Sequence, residues 1–186
     1  MESARATIAS PRAALEILGT AEERHVPEGG FYFAGPIPSA ADEAILSVVE
    51  WYRAASKDDR EALSRGLIGK AGNLLVAFSE RMAVEAARKR SVDPIRAGLL
   101  AIAMLPDEPT EALDFRDWLP ILALHYSSAR KAGADPLSLF DEAATLADPA
   151  IGATIFNYAR EGEHSLKAMG YVEENSPSGF TYRRTW

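Results

Sequence analysis

Cysteine is absent from the 186 residues. Disulfides, thiolate nucleophiles and Cys-ligated zinc or iron–sulfur sites are therefore excluded. The absence fits a reducing compartment, and a cytoplasmic location is expected. Long apolar runs are missing too. The longest, Ala97 to Leu105 (AGLLAIAML), has nine residues, less than half of the ~20 that a membrane-spanning helix needs. The opening stretch MESARATIASPRAALEILG has no basic segment followed by a continuous apolar core, so no secretory signal is expected there. Histidine is scarce: His25, His125 and His164 lie far apart, without local metal-ligand spacing. No metal or cofactor is expected.

The familiar nucleotide and catalytic motifs are also lacking. Gly66-Leu67-Ile68-Gly69-Lys70-Ala71 holds a Gly-Lys pair, yet Ser64 stands where a phosphate loop needs glycine. Ala71 has no hydroxyl to offer magnesium. GxGxxG, HExxH, GxSxG and EF-hand spacings do not occur.

What remains is an ordinary globular composition, 47% apolar and 25% charged. The length suits one domain, residues 1–186, able to bury a core without a disulfide or metal. Net charge is −7, and it is unevenly spread. Residues 106–163 carry four basic and eleven acidic groups, whereas residues 1–105 carry thirteen and fourteen. Such a field repels phosphate backbones and attracts cationic partners. Neither nucleic-acid nor membrane binding is expected.

Helix signals dominate. Ser10-Pro11 opens a helix to about Arg24, and Ser39 with Asp42 and Glu43 opens another to about Ser56. The second carries Ile45, Leu46, Val49 and Tyr52 on one face. Asp58 with Glu61 marks a further start. Gly66, Gly69 and Gly72 predict a break near 69–73, before a long helix over 73–90. Asp93-Pro94, Asp135-Pro136 and Asp148-Pro149 each read as an N-cap followed by proline at the first helical position. Another helix begins after Asp114 or Asp117, with Pro120 favouring Asp117, and ends at Gly133. A short helix near Ser165–Met169 stops at Gly170. Two stretches differ: the Gly/Pro-rich loop 28–38 with Phe31, Tyr32 and Phe33, and the tail 171–186, which reads as a β-hairpin about Ser176-Pro177-Ser178-Gly179. The expected fold class is all-α, a globular domain of seven to nine helices with this small hairpin.

The segments AFSERMAVEAARKR (77–90), IRAGLLAIAML (95–105) and KAGADPLSLFDEAA (131–144) carry a resemblance. From about Trp51 to Tyr171 the chain resembles a group of uncharacterised all-helical bacterial proteins. The resemblance implies a bacterial, soluble, helical protein and transfers no functional residue.

Four places bear on function. Glu85 falls in the apolar stripe Ala71, Leu74, Leu75, Phe78, Met82 and Ala86, where a carboxylate could have a raised pKa. Arg81, Arg88 and Lys89 at helical spacing favour a plain ion pair instead. His125 shares a face with Trp118, Leu122, Tyr126 and Ala129. It reads as a core histidine with a satisfied ring nitrogen, or else as a catalytic base or pH switch. Asp107, Glu108, Glu111, Asp114 and Asp117, opposed only by Arg116, offer carboxylates to a cationic partner or form a solvated loop. Phe31, Tyr32 and Phe33 either pack on the tail aromatics or form a recognition patch. The leading expectation is a non-enzymatic interaction module, in one form an immunity-type inhibitor that covers a protein partner's basic surface. The alternative is a small-molecule enzyme or ligand-binding protein with Glu85 and His125 in its pocket.

Overall fold

The computed structural model describes the backbone of residues 8–25, 39–68, 72–107, 115–168, 171–176 and 179–184, and side chains within 8–21, 41–68, 72–107 and 121–159. Eight helices occur among the described residues: α1 (Pro11–His25), α2 (Ser39–Ala54), α3 (Lys57–Gly66), α4 (Gly72–Lys89), α5 (Asp93–Ala103), α6 (Phe115–Lys131), α7 (Pro136–Leu146) and α8 (Pro149–Ala168). None is long and apolar enough to cross a membrane.

The organising element is α5. Its residues Ala97 to Ala103 are all buried, as are Met104 and Leu105 beyond it. A helix apolar on every side must be surrounded, and α5 packs against α2, α4, α6 and α7. The nine-residue apolar run is thus the axis of the core. α8 packs on α7, and α1 covers α2 and α3. Each outer helix turns one stripe inward: Ile45, Val48, Val49 and Tyr52 from α2, and Leu74, Leu75 and Phe78 from α4.

Caps follow local chemistry. Asp135 Oδ1 accepts from Leu137 N at 3.1 Å, and Asp148 Oδ1 accepts from Ala150 N at 3.0 Å, so two of the three Asp-Pro pairs cap as expected. The third does not. α5 has no side-chain cap; Asp93 lies inside it and pairs with Arg96 at 3.6 Å. The cap of α3 is Ser56, whose Oγ accepts from Asp59 N at 3.2 Å, and Asp58 falls within the first turn. α6 starts at Phe115, two residues before the favoured Asp117, so Pro120 sits in its second turn, where it removes one backbone donor. Its end matches expectation. Gly133 has φ of 73°, its N–H donates to Arg130 O, and Ala134 N donates to Ala129 O, the paired bonds of a left-handed glycine cap. No separate helix forms near 165–169, because α8 runs unbroken to Ala168. The expected hairpin has its turn residues 177 and 178 and all its side chains outside the described residues, and so do Phe31, Tyr32 and Phe33.

Candidate functional site

Two polar constellations are built into this helical frame. The first is buried. α4 turns Ser79 and Ala83 toward α6, which presents His125 and Ser128. Ser79 Oγ donates to Gly98 O on α5 at 2.8 Å and lies 2.9 Å from His125 Nε2. A carbonyl oxygen only accepts, so the single hydroxyl proton is committed to Gly98. The proton on the second bond must then sit on Nε2, which donates to Ser79. Nδ1 is left as a bare acceptor, buried without a partner among the described residues. Burial pushes the imidazole pKa down to about 3, with hydrogen bonding at Ser79 opposing it. The separation is that of a nucleophile–base pair, yet both side chains are 0% exposed. In this tautomer the nitrogen facing the serine is already protonated. The arrangement links three helices and offers a substrate no approach.

Glu85 lies apart from this cluster. Its side chain is 27% exposed and held by Arg88 Nη2 at 2.8 Å and Lys89 Nζ at 2.5 Å. These contacts, the Lys89 hydrogen bond foremost, lower its pKa. The carboxylate is kept ionised, the opposite of what a general acid requires. Arg81, the third candidate partner, binds Asp42 on α2 instead.

The second constellation is an open cavity of about 540 Å³ between α3, the segment after α5 and the α7–α8 junction. Small-molecule pockets commonly span ~300–1,000 Å³. α3 supplies one wall, with Lys57, Arg60, Glu61, Ser64 and Arg65 recurring at helical spacing and Ile68 in the turn after it. Pro106 and Asp107 form a second side, and Ala144 to Pro149 form the third. Tyr52 closes the floor. Its hydroxyl is directed at Ala103 O (3.0 Å) and Leu146 O (2.6 Å), where α5 and α7 end. Ser64 Oγ donates to Met104 O at 2.9 Å. Carbonyls at helix C-termini lack intrahelical donors; Ser64 supplies one proton to Met104 O, and the single phenol proton of Tyr52 is shared between Ala103 O and Leu146 O. Burial raises the Tyr52 pKa, so the phenol stays protonated. Arg60 lies 6.0 Å over the Tyr52 ring and donates to Ala55 O.

Neither Glu85 nor His125 lines this cavity. Asp107 does, and it is exposed. Glu108, Glu111 and Asp114 lie outside the described residues, and of Asp117 only the backbone, within α6, is described. Sequence reasoning passed over Tyr52, Arg60, Ser64, Arg65 and Asp148 as site residues. A signal was present: α3 carries a polar stripe with Ser64 next to the core residue Leu63. No protein-family profile matches the chain, and no curated protein or solved structure is detectably similar to it.

Proposed function

We propose that this chain is a non-enzymatic binding module whose ligand occupies the cavity between α3, Asp107 and the α7–α8 junction. The carrying observation is a cavity of ligand size in which charged side chains of both signs converge among apolar wall residues. The environments of Glu85 and His125 support a binding role over a catalytic one. Ionised Glu85 is spent on two cations, and His125 is sealed in the core.

The test is a metabolite thermal-shift screen on the wild-type chain and on Thr145→Trp. Thr145 is exposed and lines the cavity, so an indole there obstructs part of it without disturbing the core. Stabilising compounds should lose their effect on the variant. Compounds that stabilise both proteins equally would overturn the assignment of the site.

The second reading keeps the acidic surface and a cationic protein partner, in one form as an immunity-type inhibitor. Exposed Asp107, at the head of the acidic stretch, favours it. Capture of a single basic protein that is released at about 0.5 M salt, where exposed charges are screened, supports this reading. Capture indifferent to salt and to Asp107→Asn opposes it. The C-terminal hairpin belongs to the same proposal. The register Tyr171 to Arg184 through Ser176 to Gly179 supports it.

A further inference from the structure

The cavity is electrically divided. Lys57 and Glu61, both on α3, neutralise one another at 3.7 Å. What is left on that wall is cationic, Arg60 and Arg65. The facing sides carry the carboxylates of Asp107 and Asp148. No described ion pair joins either arginine to either aspartate. Charges of opposite sign that share a cavity without touching leave their mutual attraction unspent. The helix ends on that side offset one another, because the C-terminus of α7 and the N-terminus of α8 meet there with partial charges of opposite sign, so the aspartates set its charge. Both sides also carry apolar surface, Ile68 beside the arginines and Pro106, Ala144 and Pro149 beside the aspartates.

We propose that the cavity recognises a small amphoteric molecule, with an anionic group for Arg60 and Arg65 and a cationic group for Asp107 and Asp148, joined by a short apolar spacer. This rests on the reading of the cavity as the binding site. A molecule with one charge satisfies one side and leaves the other side's charge partly desolvated and unpaired, which is costly. A molecule with both charges satisfies each side by charge-assisted hydrogen bonds. Arg60 retains donors for this role, since only one of its amino groups is committed to Ala55 O. Asp148 retains an oxygen, since Oδ1 alone caps α8.

The probes are ω-amino acids of three to eight carbons, with the matched simple carboxylates and primary amines, titrated calorimetrically at fixed ionic strength. One chain length of the amino acid should bind at least about tenfold more tightly than either matched half, as befits one additional charge-assisted contact. Thr145→Trp should abolish that binding. Arg65→Gln should reduce the amino acid toward the affinity of the amine. Asp107→Asn/Asp148→Asn should reduce it toward that of the carboxylate, and asparagine at 148 still caps α8. If a carboxylate or an amine binds as well as every amino acid, the amphoteric class is overturned while the cavity reading stands. If none of the probes binds, the class is again overturned, and the cavity reading is then decided by the separate screen against Thr145→Trp.

Discussion

Replacing Gly98 with alanine tests the buried link between α4, α5 and α6. A Cβ built at position 98 would collide with His125 Cε1, lie 2.7 Å from Nε2 and lie 3.1 Å from Met82 Cβ. The ring cannot simply swing aside, because Ser79 holds it and the surrounding residues are buried. Overpacking of a tight core costs about 1–3 kcal/mol, and a clash with a fixed ring belongs at the upper end. Against this, Gly→Ala in a helix interior returns about 1 kcal/mol. The net expectation for Gly98→Ala is about 2 kcal/mol of destabilisation, or a Tm lower by about 4–8 °C for a domain of this size. Gly19 on α1 supplies the control, for nothing lies within 4 Å of its added Cβ. Gly19→Ala should raise Tm by about 2–4 °C through the same helix term alone. The decisive assay is a double-mutant cycle by chemical denaturation. In a His125→Ala background most of the obstruction is gone, so Gly98→Ala should cost at least about 1 kcal/mol less than in the wild-type chain. A Gly98→Ala protein as stable as wild type, or an equal cost in both backgrounds, would refute the argument.

Other perturbations address the remaining polar contacts. The folded-state pKa of His125, about 3, lies below its ordinary 6.5, so its contribution is complete above pH 6.5 and is lost as pH falls through that window toward 3. Unfolding measured at pH 8 and pH 5 should show about 2 kcal/mol less stability at pH 5 from this residue. A proton NMR titration in which the His125 ring charges near pH 6.5 in the folded protein would contradict this. Tyr52→Phe strips the donor from Ala103 O and Leu146 O, and should cost about 1–3 kcal/mol in urea unfolding; an unchanged midpoint would show that water replaces the phenol. Glu142 receives Arg53 Nε at 2.6 Å and Arg96 Nε at 2.9 Å, tying α7 to α2 and α5. Because all three side chains are partly exposed, Glu142→Ala should cost only about 1 kcal/mol, less still at 1 M salt. A loss insensitive to salt would point to packing rather than charge.

The helical architecture was legible because its signals are local. Asp135 and Asp148 cap, Gly133 adopts the left-handed turn, and the face of α2 follows its 3.6-residue period. Errors arose where two local signals competed. Ser56 and Asp58 are both acceptable caps, and only the register of α3 against the core chooses between them. The interior of α4 was half legible. Its apolar stripe was visible, but Ser79, equally buried, carries a polar name and belongs inside only because α5 and α6 supply Gly98 O and His125. Of the cavity, only the polar stripe of α3 left a trace in the sequence. Tyr52, Arg60, Asp107 and Asp148 are separated by up to 96 positions, and no periodicity within one helix reports that three helix ends converge.

The central position of α5 has a consequence for how the chain is made. The most apolar helix is formed mid-chain, while two of the helices that enclose it, α6 and α7, follow it in sequence. A nascent chain that has emerged only as far as residue 107 carries Ala97–Leu105 with part of its cover still to be synthesised. Exposed apolar surface of that kind invites association. Chaperone capture should therefore concentrate on the interval between the emergence of α5 and the docking of α7, and fragments ending in that interval should aggregate where the full chain does not.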